Sequence, residues 1–393
     1  MKSLKKIVAL LVVAVLVMTT LVACGGTDKK EEGNADATTF KIGGIGPLTG
    51  AAATYGIAVK EGAELAVKEI NAAGGINGFQ VEFKMEDDEH DAEKSVNAYN
   101  SLKDWNMQIL MGTVTSGPCE AVVAKTQADK MFQLTPSGSS VESIQFDNAF
   151  RVCYSDPNQG AASARYIGEN DLAKKVAVIY DSSTVYSSGI YESFVQGAKE
   201  QEFEIVAAEA FTADNATDFT VQLNKAKDAG ADMVFLPIYY QEASLILTQA
   251  NTMGYAPKFF GCDGMDGILS MEGFDTKLAE GLMLLTPFAA DGQDDLTKNF
   301  VTAYEEAYKN TPIQFAADAY DAMYILKAAL EAADVKPSMS VSEINDALKA
   351  EMVKLEYTGL TTAGEAMKWT ADGEPNKAPM AVVIKDGVYT SME

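Results

Sequence analysis

Short apolar runs alternate along this chain with longer segments in which apolar residues recur every three or four positions. Runs such as Phe40 to Ile45 and Val176 to Tyr180 predict buried strands, whereas the spacing over Ile57 to Asn71 predicts a helix packed on one face. The order of strand and then helix repeats from Phe40 onward. Such repetition predicts an α/β fold in which parallel sheets carry helices on both faces.

This pattern occurs twice. Gln108 to Phe132 and Met233 to Tyr255 each contain a strand, a polar or aromatic loop, a helix and another short strand. Two similar lobes that face each other would enclose a cleft between their strand ends. Breaks at Ser155–Pro157, Thr286–Phe288 and Glu356–Gly359 predict that the chain crosses between the lobes three times.

The breaks also predict the extent of each lobe. We expect residues 40–156 with 288–357 to form the first lobe and residues 157–287 with 358–393 to form the second. The turn sequence at Gly373, flanked by Met367–Thr370 and Met380–Lys385, predicts a hairpin that closes the second lobe.

Two loops rich in serine, threonine and glycine, Thr113–Pro118 and Thr135–Ser140, follow neighbouring predicted strands. Open α/β sheets bind ligands at the edge where the carboxyl ends of parallel strands meet. Free backbone N–H groups at a helix start, together with small hydroxyls, suit an anion. Because neither loop contains Lys or Arg, a single carboxylate is favoured over a polyphosphate. Ordinary capped turns between strand and helix would show the same residues.

The beginning of the chain predicts export. A lysine-rich start precedes an apolar run, Ile7 to Met18, that is too short to span a bilayer and is typical of a signal peptide. Leu21–Cys24 is similar to the lipobox of bacterial lipoproteins, so we expect residues 1–23 to be removed and Cys24 to be lipidated. Residues 24–39 are polar and predict a flexible tether. The protein would then be anchored on the outer face of the cytoplasmic membrane.

The formal net charge is −25 over 393 residues. Such an acidic chain is not expected to bind nucleic acid or anionic lipid surfaces. Cys119, Cys153 and Cys262 lack CxxC spacing, and three thiols cannot all pair. Cys119 lies near a predicted helix start, which favours a thiolate, but a small buried residue is the preferred interpretation.

Other chemical signals are weak. The single histidine, His90, lies among acids that are expected at a helix start, so no metal site is predicted. Gly44, Gly46 and Gly50 resemble the G-x-G-x-x-G fingerprint of dinucleotide-binding proteins. The spacing from Gly46 to Gly50 is one residue too long, however, and Pro47 lies within it. The sequence has no G-x-S-x-G elbow and no well-placed histidine base, so neither an enzyme nor a cofactor is predicted.

After residue 40 the chain resembles, nearly end to end, bacterial extracellular solute-binding receptors of the leucine/isoleucine/valine-binding type. The resemblance is carried by GIGPLTGAAATYG, EINAAGGINGFQVEF, EDDEHDAEKSV, the two hydroxyl-rich loops, Tyr154-Ser155-Asp156, IYDSSTVYSSG and FFGCDG. It implies a two-lobed type I periplasmic-binding-protein fold with three hinge crossovers. It also implies a monomeric receptor that closes on an amino acid, branched-chain or otherwise apolar, and delivers it to the permease and ATPase of an ABC importer.

The sequence does not decide which ligand binds or whether binding leads to transport or to signalling. A sensor of the same fold for an amide, urea or other small carboxylate is the alternative function. The resemblance implies that Ser116 and Ser139 bind a carboxylate, that the Ser137 carbonyl meets an ammonium, and that Asp263 is its acidic partner. The predicted ligand-binding set is Tyr55, Thr115, Ser116, Ser137, Gly138, Ser139, Tyr186, Tyr239, Asp263 and Phe315.

One departure from the family concerns the first lobe. Family members often carry a disulfide there, and its two positions correspond to His90 and Thr115 in this chain. The resemblance therefore implies that the bridge is missing.

Overall fold

The structure is a computed structural model that describes residues 37–362 and 364–392. The predicted signal peptide, the lipidation site Cys24 and the predicted tether up to residue 36 lie outside the described residues. Within the described ranges, no helix has the length and apolar character needed to cross a bilayer.

The first lobe is built on a sheet that, within the described residues, has five parallel strands in the order β2-β1-β3-β4-β5. The strands are β1 (Thr39–Gly46), β2 (Gln80–Asp87), β3 (Ile109–Gly112), β4 (Gln133–Thr135) and β5 (Ala149–Arg151). The connecting helices are α1 (Ala53–Ala72), α2 (Ala92–Asp104) and α3 (Ser116–Ala128). Helices cover both faces of this sheet, so every residue of β3 and β4 is buried.

The second lobe is built on a sheet of seven described strands in the order β12-β11-β10-β9-β8-β6-β7. The strands are β6 (Lys175–Asp181), β7 (Glu204–Phe211), β8 (Met233–Leu236), β9 (Lys258–Gly261), β10 (Met283–Thr286), β11 (Met380–Lys385) and β12 (Val388–Ser391). The helices are α4 (Asp156–Glu169), α5 (Val185–Ala198), α6 (Thr220–Asp228) and α7 (Tyr240–Thr252). Strands β6 to β10 are parallel to one another, whereas β11 and β12 run antiparallel.

The chain then returns to the first lobe. Its last helices are α8 (Asp295–Tyr308), α9 (Gln314–Ala332) and α10 (Val341–Met352). Helix α9 packs on α1, where a Cβ at Gly62 would lie 2.1 Å from the Ala316 carbonyl oxygen, so only glycine permits this approach. The predicted α/β architecture of two mostly parallel sheets with flanking helices is confirmed, and the exact lobe boundaries stay a prediction.

The predicted hairpin at Gly373 is confirmed in part: an antiparallel bridge joins Trp369 to Pro375 across the turn, but β11 is not its second arm. Strand β11 does not pair with Met367–Thr370; it pairs with β10 and with β12, through a turn at Asp386 and Gly387. Both turn residues have positive φ, 53° and 77°, which is the geometry that an Asp-Gly hairpin turn favours. The carbonyl of Gly373 instead accepts a 3.2 Å hydrogen bond from the Arg151 backbone N–H, so that turn lies against the end of β5.

Candidate functional site

A cavity lies where the carboxyl ends of the two sheets face each other. It encloses about 230 Å³ of space that no atom occupies. Its lining consists of Tyr55, Val114, Thr115, Ser116, Ser137, Ser139, Tyr186, Tyr239, Asp263, Gly264 and Phe315. Nine of the ten residues in the predicted ligand-binding set therefore meet around one space, and their contact with a ligand stays a prediction.

The two hydroxyl-rich loops form one side of the cavity because β3 and β4 are parallel neighbours. The Ser116 Oγ atom lies 3.4 Å from the Ser139 Oγ atom and accepts from the backbone N–H of Ser139 at 3.3 Å. Helix α3 begins at Ser116, earlier than the predicted start at Cys119. Pro118 fits within the first turn because the N–H that proline lacks has no partner there in any helix. Ser116 therefore places its hydroxyl at a helix N-terminus, where an anion is favoured.

Thr115 immediately precedes α3, but among the described residues its side chain makes no hydrogen bond that caps this helix. Its hydroxyl instead lies 2.8 Å from the Nδ1 atom of His90. A hydrogen bond thus joins the two positions that the resemblance to the family assigns to a missing disulfide. Because Thr115 does not cap the helix, its hydroxyl does not occupy the first amides of α3.

Ser137 and Gly138 differ in their relation to the cavity. The Ser137 hydroxyl donates to the Val114 carbonyl at 2.6 Å and so ties the two loops together. Gly138 lies behind the cavity: its N–H donates to Thr135 at 2.7 Å, and its carbonyl accepts from Arg151 at 3.2 Å. Both backbone groups of Gly138 are therefore engaged by the protein, and its contact with a ligand stays a prediction.

Asp263 is the charged group on the opposite side. It is 4% exposed, and one carboxylate oxygen accepts from the Tyr186 hydroxyl at 2.6 Å. No Lys or Arg of residues 37–362 and 364–392 forms an ion pair with it. Burial is the main reason that the pKa of Asp263 is raised to about 7, and the nearby Asp318 carboxylate adds to the effect. A buried carboxylate without a cation is costly, so this side of the cavity suits a cationic group.

The backbone of Asp263 is fixed from both lobes. Its N–H donates to the side chain of Gln159 at 3.2 Å, and its carbonyl accepts from the side chain of Gln314 at 2.8 Å. Neither glutamine belongs to the predicted set. Their roles depend on contacts between distant parts of the chain, and no local motif marks them.

Aromatic rings form the remaining wall. The ring of Tyr55 lies 4.3 Å from that of Phe315 and 5.3 Å from that of Tyr239, measured between centroids. Tyr186 lies 4.8 Å from Tyr239. The Tyr55 hydroxyl donates to the Gly264 carbonyl of the second lobe, so the cleft is closed in this structure.

The three cysteines that follow the predicted leader are free and buried. Burial raises the pKa of each thiol, including that of Cys119, and therefore disfavours thiolates. The interpretation of Cys119 as a small buried residue is confirmed, since its side chain is 0% exposed.

Comparisons with known proteins agree with this arrangement. The model of a family described as "Periplasmic binding protein" matches residues 39–387. The chain is 31% identical over 295 residues to the Leu/Ile/Val-binding protein homolog 3 of Brucella melitensis, covering 74% of this chain and 78% of that protein. It is 28% identical over 309 residues to the leucine-, isoleucine-, valine-, threonine- and alanine-binding protein of Pseudomonas aeruginosa, covering 78% of this chain and 82% of that protein.

A solved structure shows the same likeness. The substrate-binding protein of a branched-chain amino acid transporter from Streptococcus pneumoniae, in complex with isoleucine, superposes with a TM-score of 0.81 at 30% sequence identity. The match covers 90% of this chain and 98% of that structure.

Proposed function

The chain belongs to the periplasmic binding protein family, and from that premise we propose that it is the substrate-binding receptor of an ABC importer for a branched-chain amino acid. Its relatives carry names that describe leucine, isoleucine and valine binding. A related structure holds isoleucine. These names and that ligand support the proposal together with the chemistry of the cavity.

One observation carries the proposal: a single cavity places a lone buried carboxylate, Asp263, opposite the helix start and hydroxyls of Ser116 and Ser139. An α-amino acid has the complementary arrangement, an ammonium beside a carboxylate. In a closed cleft both charges need partners, because an unpaired buried charge is costly. We therefore assign the ammonium to Asp263 with the Ser137 carbonyl, and the carboxylate to the start of α3.

The rest of the cavity selects the side chain. Val114, Tyr55, Tyr239 and Phe315 offer an apolar and aromatic wall, which favours an aliphatic side chain. The space between the two lobes is small and closely lined by side chains, so a compact ligand is favoured. A charged side chain would meet no compensating group along this wall.

The ligand would pass from the closed receptor to the permease and ATPase of the importer. We expect a monomer, since one chain supplies every residue of the cavity lining. We also expect export, with Cys24 carrying the lipid that holds the receptor at the membrane surface.

A thermal-shift screen of the twenty amino acids, with amides, urea and deaminated analogues as controls, tests the ligand. At a concentration a hundredfold above Kd, a ligand should stabilise the protein by about 2.7 kcal/mol. Leucine, isoleucine and valine should give the largest shifts, and their 2-keto analogues should give little. If urea, an amide or a simple carboxylate is the strongest stabiliser, the proposed ligand class is wrong.

Uptake of radiolabelled leucine separates import from sensing. Deleting the gene should abolish high-affinity uptake, and the wild-type gene should restore it. Unchanged uptake in the deletion strain, with binding intact in the purified protein, would indicate a sensor instead.

A further inference from the structure

His90 lies between the two sides of the cavity without belonging to its lining. It is the only histidine of the sequence. Its Nδ1 atom lies 2.8 Å from the hydroxyl of Thr115, the residue before α3. Its ring packs edge to face against Tyr239 of the second lobe, with centroids 5.5 Å apart and planes at 74°. His90 therefore contacts one lining residue on each side of the cleft.

We propose that His90 is a positioning residue that couples the carboxylate-binding start of α3 to Tyr239 when the cleft closes. The inference rests on the proposed function, because it assigns the start of α3 to the ligand carboxylate. Through Thr115, His90 orients the first turn of α3. Through Tyr239, it contacts the aromatic wall that the second lobe contributes.

The backbone around His90 is held in place independently of the cleft. The His90 N–H donates to the buried carboxylate of Asp88 at 2.9 Å, and His90 itself has a φ of 61°. The next residue, Asp91, caps α2 by accepting from the Lys94 N–H at 2.8 Å. The imidazole is thus presented from a fixed turn at the carboxyl end of β2, and closure brings Tyr239 to it.

Closure also buries the imidazole, which links binding to pH. The Asp91 carboxylate on the same turn and the Asp181 carboxylate at the end of β6 favour the protonated ring. Asp88 accepts from the His90 backbone, and Tyr239 faces the ring. Burial outweighs both carboxylates and lowers the pKa of His90. In an open cleft water would reach the ring, and its pKa would return towards about 6.5.

The sign of the pH effect follows from this difference. The closed form binds fewer protons at His90 than the open form does. Affinity for an amino acid is therefore complete above the ordinary pKa of histidine and falls as the pH drops through it. Below the lowered pKa of the closed form, His90 is protonated in both forms, so a further drop in pH no longer changes affinity through this residue.

The test measures L-leucine binding by calorimetry from about pH 5.5 to about pH 8, a range that brackets the ordinary histidine pKa. His90→Ala should weaken binding at the upper pH by about three- to tenfold, the size of one neutral hydrogen bond. His90→Gln, whose amide can still reach Thr115 but does not titrate, should stay within about twofold of wild type there. Glu89→Gln is the matched control, since Glu89 is an exposed neighbour on the same turn, and its binding should not change.

Asp263 also titrates in this range, so the diagnostic quantity is the difference between wild type and His90→Gln. Between the two ends of the range, wild type should lose at least about threefold more affinity than His90→Gln does. Double-mutant cycles of His90→Ala with Thr115→Val and with Tyr239→Leu should be non-additive, because each pair is in contact.

Two results separate this inference from the proposed function. If wild type binds L-leucine but its pH profile parallels that of His90→Gln and both cycles are additive, the coupling is overturned and the receptor function stands. If wild type binds no amino acid, the proposed function fails, and the coupling is decided by NMR titration of the single imidazole of untagged protein with the strongest stabiliser of the thermal-shift screen bound. In that closed complex, a lowered pKa that Tyr239→Leu returns towards the ordinary value would support the coupling, and an ordinary pKa that Tyr239→Leu leaves unchanged would overturn it.

Discussion

The hydroxyl of Tyr55 in the first lobe donates a hydrogen bond to the backbone carbonyl of Gly264 in the second. The same oxygen lies 3.3 Å from the Tyr240 backbone N–H, which donates to it. A Cβ at Gly264 would lie 2.7 Å from the Tyr186 hydroxyl oxygen, so a larger residue at this position would displace Tyr186. Burial raises the pKa of Tyr55 well above its ordinary value, which keeps the hydroxyl protonated and able to donate. Tyr55 thus connects the two lobes and also walls the cavity.

Tyr55→Phe should weaken leucine binding by about 5- to 30-fold, that is, by about 1–2 kcal/mol. The ring that contacts Phe315 is kept, but the Gly264 carbonyl and the Tyr240 N–H lose their partner. The loss should appear mainly as faster dissociation in stopped-flow measurements, because interface changes act mostly on the off-rate.

Tyr255→Phe is the matched control for the Tyr55 variant. The Tyr255 hydroxyl donates to the Ala231 carbonyl at 3.0 Å, a buried bond within the second lobe alone. Its loss should lower thermal stability and leave the dissociation rate unchanged. Equal effects of the two variants on dissociation would contradict the role of Tyr55 in holding the lobes together.

Asp263→Ala should weaken an amino-acid ligand by about 30-fold or more, since removing one member of a buried charge pair costs about 2–5 kcal/mol. Asp263→Asn keeps the shape and should also bind poorly. In the ligand-free protein, however, Asp263→Asn should raise the melting temperature at about pH 8. The folded-state pKa is raised to about 7, above the ordinary Asp value of about 3.9, so stability falls as the pH rises between these two values and the loss is complete above about 7. Calorimetry and thermal melts measure both effects, and wild-type affinity in Asp263→Asn would refute the ammonium assignment.

Binding should release protons at a pH below about 7. Before the ammonium enters the closed cleft, the buried carboxyl of Asp263 holds a proton in that range because burial raises its pKa to about 7. A bound ammonium favours the ionised carboxylate, so the pKa falls on binding and the proton leaves. Affinity should therefore rise with pH through this range and become constant above it. Titrations in two buffers of different ionisation enthalpy measure the release.

The proton release has an internal control. Asp263→Asn should remove the part that comes from this carboxylate and leave the smaller part that comes from His90. Proton uptake on binding in the wild type would contradict the assignment.

Phe315→Ala should change which side chain is preferred. Phe315 is 5% exposed and packs against Tyr55, so its loss enlarges the apolar end of the cavity. Because one methylene of apolar fit is worth about 1–3 kcal/mol, leucine should lose affinity while phenylalanine gains relative to it. The variant should still reject deaminated analogues, since Asp263 is unchanged. A uniform loss across all side chains in the calorimetric series would contradict a role for Phe315 in selection.

Much of the fold was predictable because its signals are local. The spacing of apolar residues predicted a helix over Ile57 to Asn71, and α1 spans Ala53–Ala72. The two hydroxyl-rich loops were predicted to meet at one sheet edge, and β3 and β4 bring them there. Family membership, inferred from short motifs, is confirmed by the family model over residues 39–387.

Strand pairing and helix starts were less predictable. Strand β11 pairs with β10, and nothing in the six residues of β11 itself specifies that partner. The pairing depends on which strand of the folded sheet still has an unpaired edge. The Asp386–Gly387 turn was a usable local signal that the predicted hairpin at Gly373 overlooked. The early start of α3 required recognising that Pro118 belongs in a first turn.

The amino-acid sequence by itself determined the α/β architecture and the two loops, because periodicity and small residues act over short stretches. Nine of the lining residues followed from the resemblance of its motifs to a known family. Only the tertiary structure decided the contacts that join distant residues. These contacts include the hydrogen bonds of Tyr55 with Gly264 and of His90 with Thr115. They also include a buried ion pair in which the Lys377 Nζ atom lies 2.7 Å from the Asp318 Oδ1 atom. The raised pKa of Asp263 belongs to the same class. Burial sets that pKa, and the carboxylate and backbone of Asp263 are enclosed by side chains that lie far apart in the sequence, such as Tyr186 and Gln314.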